Sequence, residues 1–308
     1  MPLARDNPVL IIGAGRSGTN LLAQALAQDP LFCNVDENRY VWNYGQRSLK
    51  YDVRTASEAH GQTANYIRNY FHSVARREQS VVVDKTPSNV FRVPFVHALF
   101  PQAKIIHIIR DGRDNVLSRQ YERVGGRKAH AHLQQARGLR FRAALIKKRM
   151  GEFLTLFRGG NIPPGRLPVV VRDKAGDFMR AVFTASAVHY GERAPGMHDY
   201  VRAYGGLQAS AWQWSQCVMH GACAGRLLPS SIYLEIRYED MLHDPGGTWH
   251  QLAAHLGIDT ASPIGNYLVD QVRPDNTGKW RTRLSHEELR ALQPHMRPAL
   301  EFLGYQWE

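Results

Sequence analysis

Val9 to Ile12 form an apolar run with no polar interruption, the pattern of a strand buried on both faces of a parallel sheet. From Thr19 onward the pattern changes: Leu21, Leu22, Ala25 and Leu26 recur at helical spacing, so Gly13 to Gly18 must be the tight turn between strand and helix. Two further short buried strands are predicted at Ser80 to Val83 and Ala103 to Ile109, and a fourth at Ser231 to Ile236. Helical spacing is predicted over Tyr51 to Arg77, with Ala64, Ile67, Tyr70, Phe71 and Val74 on one face, and over Asn89 to Leu99, Asn115 to Tyr121, Gln208 to Met219 and Trp249 to Leu256. Asp29-Pro30 ends the first helix, and Phe32 to Tyr44 reads as a loop carrying Asp36, Glu37 and Arg39. Near the carboxyl end Ser285 and Glu288 have the spacing of a capping box that opens a helix.

Strands alternating with helices predict an α/β fold, a parallel doubly wound sheet flanked by helices. The pattern loosens between Gly125 and Gly206. That stretch contains the basic run Arg137 to Arg149 and the Gly/Pro-rich Gly159 to Pro168, and it reads as a mostly helical insertion (125–206) in a single domain spanning 1–308. Arg140, Arg142, Lys147, Lys148 and Arg149 can be read equally as a surface for an acidic substrate or as a solvated helix face.

Charge narrows the partners. With 39 Lys and Arg against 27 Asp and Glu, a net +12 implies an anionic ligand, an acidic substrate or nucleic acid without choosing among them. Cys33, Cys217 and Cys223 are too few and too scattered for a disulfide framework or a metal-ligand spacing, which favours a reducing, cytoplasmic setting. No apolar run approaches membrane-spanning length, so a soluble protein is expected.

Candidate chemistry lies where the strands end. In open α/β sheets ligands bind at the carboxyl ends of the strands. There the chain carries Arg16-Ser17-Gly18-Thr19, then Asp84-Lys85-Thr86-Pro87, then Arg110-Asp111-Gly112-Arg113-Asp114 with Ser118 eight positions after Arg110. A glycine turn opening a helix directs backbone N–H groups at an anion. It is not a Walker A loop, because no lysine follows Gly18, so an anion held without metal is expected. Two such turns, each with an arginine whose planar fork suits phosphate, match a ligand with two separated anionic groups.

Taken together, these three stretches resemble the sulfotransferases that use 3′-phosphoadenosine 5′-phosphosulfate, which have a P-loop NTPase-like fold. In that family the first loop, here Arg16, Ser17, Gly18, Thr19 and Asn20, cradles the 5′-phosphosulfate. An arginine at the end of a later strand and a serine eight positions on hold the 3′-phosphate, and Arg110 and Ser118 stand in that relation. Ile232 to Pro245 is similar to the family's late strand and loop, and Thr277 to Ser285, with Gly278 and Lys279, to its last cofactor-side loop. The closest likeness is to the branch with tyrosylprotein sulfotransferases and related bacterial enzymes. Val35-Asp36-Glu37-Asn38-Arg39 resembles the segment that carries the base glutamate there, which points to Glu37, with Asp36 as the alternative. The small-molecule branch carries a base histidine three positions after the lysine, where this chain has Ser88.

The resemblance implies in-line transfer of a sulfuryl group to a hydroxyl, or second to that an amine, of a small-molecule, saccharide or peptide acceptor. Arg16 and Lys85 would stabilise the charge growing on the leaving 5′-phosphate. No metal, nucleic-acid partner or membrane segment is expected, and His107, inside a strand, is expected to be a core residue. Arg113 could face the nucleotide or pair with Asp114. Two other readings compete: a divergent P-loop kinase, and a non-catalytic polyanion-binding protein, against which the basic run lacks interleaved aromatics.

Overall fold

The computed structural model describes residues 3–35, 37, 39–46, 48–123 and 191–307. Five parallel strands are ordered β2-β3-β1-β4-β5: β1 Val9–Ile12, β2 Phe32–Val35, β3 Val81–Lys85, β4 Lys104–Ile109 and β5 Tyr233–Arg237. The helices are α1 Thr19–Leu26, α2 Arg39–Trp42, α3 Gly61–Glu78, α4 Val93–Leu99, α5 Gly112–Arg123, α6 Met197–Gly225, α7 Tyr238–His243, α8 Pro245–Leu256, α9 Ile264–Gln271, α10 Trp280–Arg283 and α11 His286–Phe302.

Alternation along β1 explains why its four residues are all apolar. Leu10 and Ile12 pack on one face against α3, α4, α5, α6 and α11, while Val9 and Ile11 pack on the other against α1, α7, α8 and α9. Each such Val, Leu or Ile taken fully from water contributes about 1.5–3 kcal/mol. Because α1 leaves β1 toward one face and α5 leaves neighbouring β4 toward the other, the sheet opens a crevice between these two strand tips.

Four expectations shift. Phe32 to Val35, read as loop, is the edge strand β2, paired with β3 from Phe32↔Val81 to Val35↔Asp84; its partner lies far along the chain, where periodicity cannot see it. Arg39–Trp42, in the same expected loop, is a helical turn. The helix expected from Tyr51 begins only at Gly61, because Asp52 N–H donates to the Arg193 carbonyl at 2.8 Å and the Asp52 carbonyl accepts from Arg92 Nε at 2.8 Å, so tertiary partners take its backbone groups. The helix expected over Gln208 to Met219 runs from Met197 to Gly225 with a kink at Gly205, so its first turns fall inside the stretch read as an insertion; residues 125–190 of that stretch lie outside the described residues. The capping box at Ser285 forms as expected, Glu288 N–H donating to Ser285 Oγ at 3.1 Å and Ser285 N–H to Glu288 Oε2 at 2.8 Å.

Candidate active site

The turn after β1 is shaped by close approaches. At Gly13 a Cβ would lie 2.5 Å from the Ile108 carbonyl oxygen of β4, and at Gly18, with φ 98°, 2.5 Å from the Tyr238 ring. Only glycine fits either place. Between them Arg16 takes φ 74°, a left-handed conformation that costs a non-glycine residue roughly 1 kcal/mol or more. Its side chain is exposed, and its Nε donates to Ser118 Oγ on α5 at 3.3 Å. Ser17 and Thr19 are buried and Asn20 is exposed. Ser17 Oγ accepts from Asn115 Nδ2 at 3.1 Å, and the same amide donates to the Gly15 carbonyl at 2.9 Å, which fastens the turn to α5.

Arg110 ends β4 and reaches across the crevice. Its Nη1 donates to the Arg16 carbonyl at 3.1 Å and its Nη2 to the Asn276 carbonyl at 2.7 Å, with the guanidinium 4.6 Å over the Tyr238 ring. Among the described residues it makes no ion pair, and its buried Nε has no hydrogen-bond partner. A buried cation met by carbonyl dipoles and a ring, with a donor to spare, suits a bound anion.

At the tip of β3, Lys85 and Glu37 form an ion pair, Lys85 mostly buried and Glu37 half exposed. Asp36 lies outside the described residues. Asp84, one residue earlier, points to the opposite face and is fully buried; it accepts from Trp42 Nε1 at 3.1 Å, Thr86 Oγ1 at 3.0 Å and Asn89 Nδ2 at 3.0 Å. Burial pushes its carboxyl up to about 7, against the opposing pull of the Trp42 and Thr86 hydrogen bonds. Ser88 is buried in the 3-10 turn that follows.

The late loop closes the crevice from the side. Gly278 N–H and Trp280 N–H donate to the two oxygens of Asp114 at 2.6 and 3.0 Å, and Lys279 Nζ donates to Asn276 Oδ1 at 2.6 Å. Arg113 pairs with Asp111, at 2.7 Å, rather than with Asp114, and lies 3.8 Å over the Trp280 ring. His107 is fully buried, its Nδ1 2.7 Å from the Tyr233 hydroxyl, and burial lowers it to about 4, which makes it a neutral core residue.

Sequence reasoning missed the group that braces the first turn. Gly15 N–H donates to Glu192 Oε1 at 2.5 Å, and Glu192 Oε2 accepts from Arg119 Nη2 at 3.0 Å and Gln213 Nε2 at 3.1 Å. One N–H of the anion turn is therefore already committed to a carboxylate. Arg119 is four residues after Asn115 and donates to its Oδ1 at 2.8 Å, so α5 presents one polar stripe to the turn. A lone glutamate between Gly191 and Arg193 carries no pattern, and 177 positions separate it from Gly15.

Arg16, Ser118 and Arg110 thus come together at the β1 and β4 tips, with Lys279 joined to them through Asn276, while Lys85 and Glu37 meet at the tips of β3 and β2. Such an arrangement can hold an anion by arginine and backbone donors beside a carboxylate able to take a proton. Among the described residues no group of three or more His, Cys, Asp or Glu is placed to hold a metal ion, and no helix is long and apolar enough to cross a membrane.

A family model described as "Sulfotransferase family" matches residues 8–170 and 160–262. The sulfotransferase domain from the Synechococcus PCC 7002 olefin synthase has a similar structure, with 15% identity and a TM-score of 0.53, over 100% of this chain and 99% of that one. The sulfotransferase domain from the curacin biosynthetic pathway is similar over 100% of both chains, with 14% identity and a TM-score of 0.51. These likenesses are of fold. No match was found among curated proteins.

Proposed function

The chain belongs to the sulfotransferase family, and on that premise we propose that it moves a sulfuryl group from 3′-phosphoadenosine 5′-phosphosulfate to an acceptor hydroxyl. The observation that carries the donor assignment is the meeting of Arg16 and Arg110 from adjacent strand tips, with Arg110 making no ion pair among the described residues. One guanidinium for each end of a doubly phosphorylated adenosine is what such a donor requires. The turn after β1, Asn20 at the head of α1, and the loop with Gly278 and Lys279 complete the donor side, Ser118 offering its hydroxyl beside Arg16.

The donor supplies an activated sulfuryl group on a phosphate leaving group. Glu37 takes the proton from the acceptor hydroxyl as its oxygen bonds to sulfur, and the bond from sulfur to the 5′-phosphate oxygen breaks. Arg16 and Lys85 face the negative charge that collects on that phosphate, which leaves as adenosine 3′,5′-bisphosphate. Lys85 is already paired with Glu37, which holds that carboxylate in place until an acceptor arrives. The stretch 125–206 is assigned to the acceptor side of this single domain.

The test is incubation with 35S-labelled donor and a panel of phenols, saccharides and tyrosine peptides. Labelled product is expected from the wild type. Glu37→Gln should lose at least 100-fold in turnover, in line with general-base contributions of about 10²–10⁴, while binding adenosine 3′,5′-bisphosphate within twofold. Magnesium-dependent hydrolysis of a nucleoside triphosphate, or salt-sensitive polyanion binding with no affinity for the bisphosphate, would refute the reading.

A further inference from the structure

The connection from Val35 to α2 that carries Glu37 is fastened at both ends by buried carboxylates. Upstream, Val35 is in register with Asp84 in the β2–β3 ladder. Downstream, α2 is held at its first and last residues: Arg39 donates through Nε and Nη2 to Asp52 at 2.9 and 2.8 Å, and Trp42 Nε1 donates to both oxygens of Asp84 at 3.1 Å. Asp52 and Asp84 are each fully buried.

The two carboxylates are also joined to each other. Asn89 donates its amide to Asp84 at 3.0 Å while its oxygen accepts from Arg92 Nη1 at 3.2 Å, which leaves that amide one orientation. Arg92 Nη2 then donates to Asp52 Oδ1 at 2.9 Å, so one arginine, itself without solvent exposure, bridges the two anchors.

We propose that Asp84 is a positioning residue for Glu37: it pins Trp42, and with it α2, so that the Glu37 carboxylate stays beside Lys85 at the strand tips. This rests on the reading of Glu37 as base. A single residue thereby serves both ends of the connection, through its backbone in the ladder and through its side chain at Trp42. The cluster is fully satisfied only when α2 is seated, because Trp42 Nε1 would otherwise be buried without its acceptor and each Asp84 oxygen would keep a single donor, Thr86 Oγ1 or Asn89 Nδ2.

The test compares Asp84→Leu, Asp84→Asn and Trp42→Phe. The last keeps an aromatic ring against Phe71 and Phe100 while removing the N–H donor together with one ring of the indole. Amide hydrogen exchange is followed in a peptide covering 36–43. Alongside it, calorimetry measures adenosine 3′,5′-bisphosphate binding, and the slow hydrolysis of the sulfate donor by water reports turnover. Expected are at least tenfold faster exchange in that peptide for Trp42→Phe and Asp84→Leu, bisphosphate affinity within twofold of wild type, and a tenfold or larger fall in kcat at unchanged KM. Asp84→Asn, whose amide oxygen still accepts from Trp42, should lie nearer the wild type than Asp84→Leu. Wild-type exchange over 36–43 in folded Trp42→Phe would overturn the proposal. Glu37→Gln, run in parallel, separates the two ideas: undiminished hydrolysis there defeats the base assignment, while exchange in the Trp42 variant still judges the clamp.

Discussion

Arg110 Nη1 donates to the carbonyl of Arg16 at 3.1 Å, across 94 positions of chain, so the side chain closing β4 holds the backbone of the turn that closes β1. Arg110 therefore has two duties, shaping the turn and presenting charge. Its guanidinium spends two donors on carbonyls and retains a buried Nε for something else.

Arg110→Ala should weaken adenosine 3′,5′-bisphosphate binding at least tenfold, since hydrogen bonds to a charged group are worth about 1.5–3 kcal/mol. Arg110→Lys should recover little of this, because an ammonium lacks the planar fork that reaches the Arg16 and Asn276 carbonyls together. Isothermal calorimetry at fixed ionic strength measures both.

Glu192→Ala should lower the free energy of unfolding by about 3 kcal/mol, the usual cost of leaving one member of a buried ion pair without the other. Arg119 would lose the 3.0 Å carboxylate contact and Gly15 its acceptor. Urea denaturation gives the loss, and equal stability of variant and wild type would show that the bracing of the turn is energetically idle.

Asp84 makes a signed prediction for pH. Burial raises its carboxyl from the ordinary 3.8 to about 7, so between those values the folded protein binds a proton that the unfolded chain has released. Its contribution favours the fold below pH 4 and is lost as pH rises through about 7, with a slope of up to about 1.4 kcal/mol per pH unit. Glu37 adds to the upward shift, while Arg92 and the hydrogen bonds from Trp42 and Thr86 oppose it. In Asp84→Asn this component should vanish, so the stability difference between pH 5 and pH 8, measured in urea, should change by at least 1 kcal/mol in favour of pH 8. An unaltered difference would mean that Asp84 is ionised in both states across that range.

Ser285→Ala removes the acceptor for Glu288 N–H at the start of α11 and should cost about 1 kcal/mol. Thermal unfolding reads it as a drop of a few degrees, with nucleotide binding unaffected.

The strand tips with their arginines were legible because each is local. A run such as Val9 to Ile12 followed by a glycine turn states in adjacent residues that a buried strand ends and a helix begins. Ser285 and Glu288 declare a helix start in the same way. β2 was not legible: Asn34 interrupts four residues that are strand only because β3 offers them a ladder. Nor was the late start of α3, since Asp52 is drawn away from helix by Arg92 and Arg193.

By itself, then, the order of residues determined the alternation of strands and helices and put Arg16, Lys85 and Arg110 at the ends of strands, because burial on a sheet imposes its period residue by residue. Only the tertiary structure decided which tips are neighbours, that Glu192 braces the first turn, and that Asp84 and Asp52 anchor the segment bearing Glu37. Those choices depend on buried polar groups finding partners from distant parts of the chain, and the satisfaction of a donor or acceptor leaves no period in the sequence.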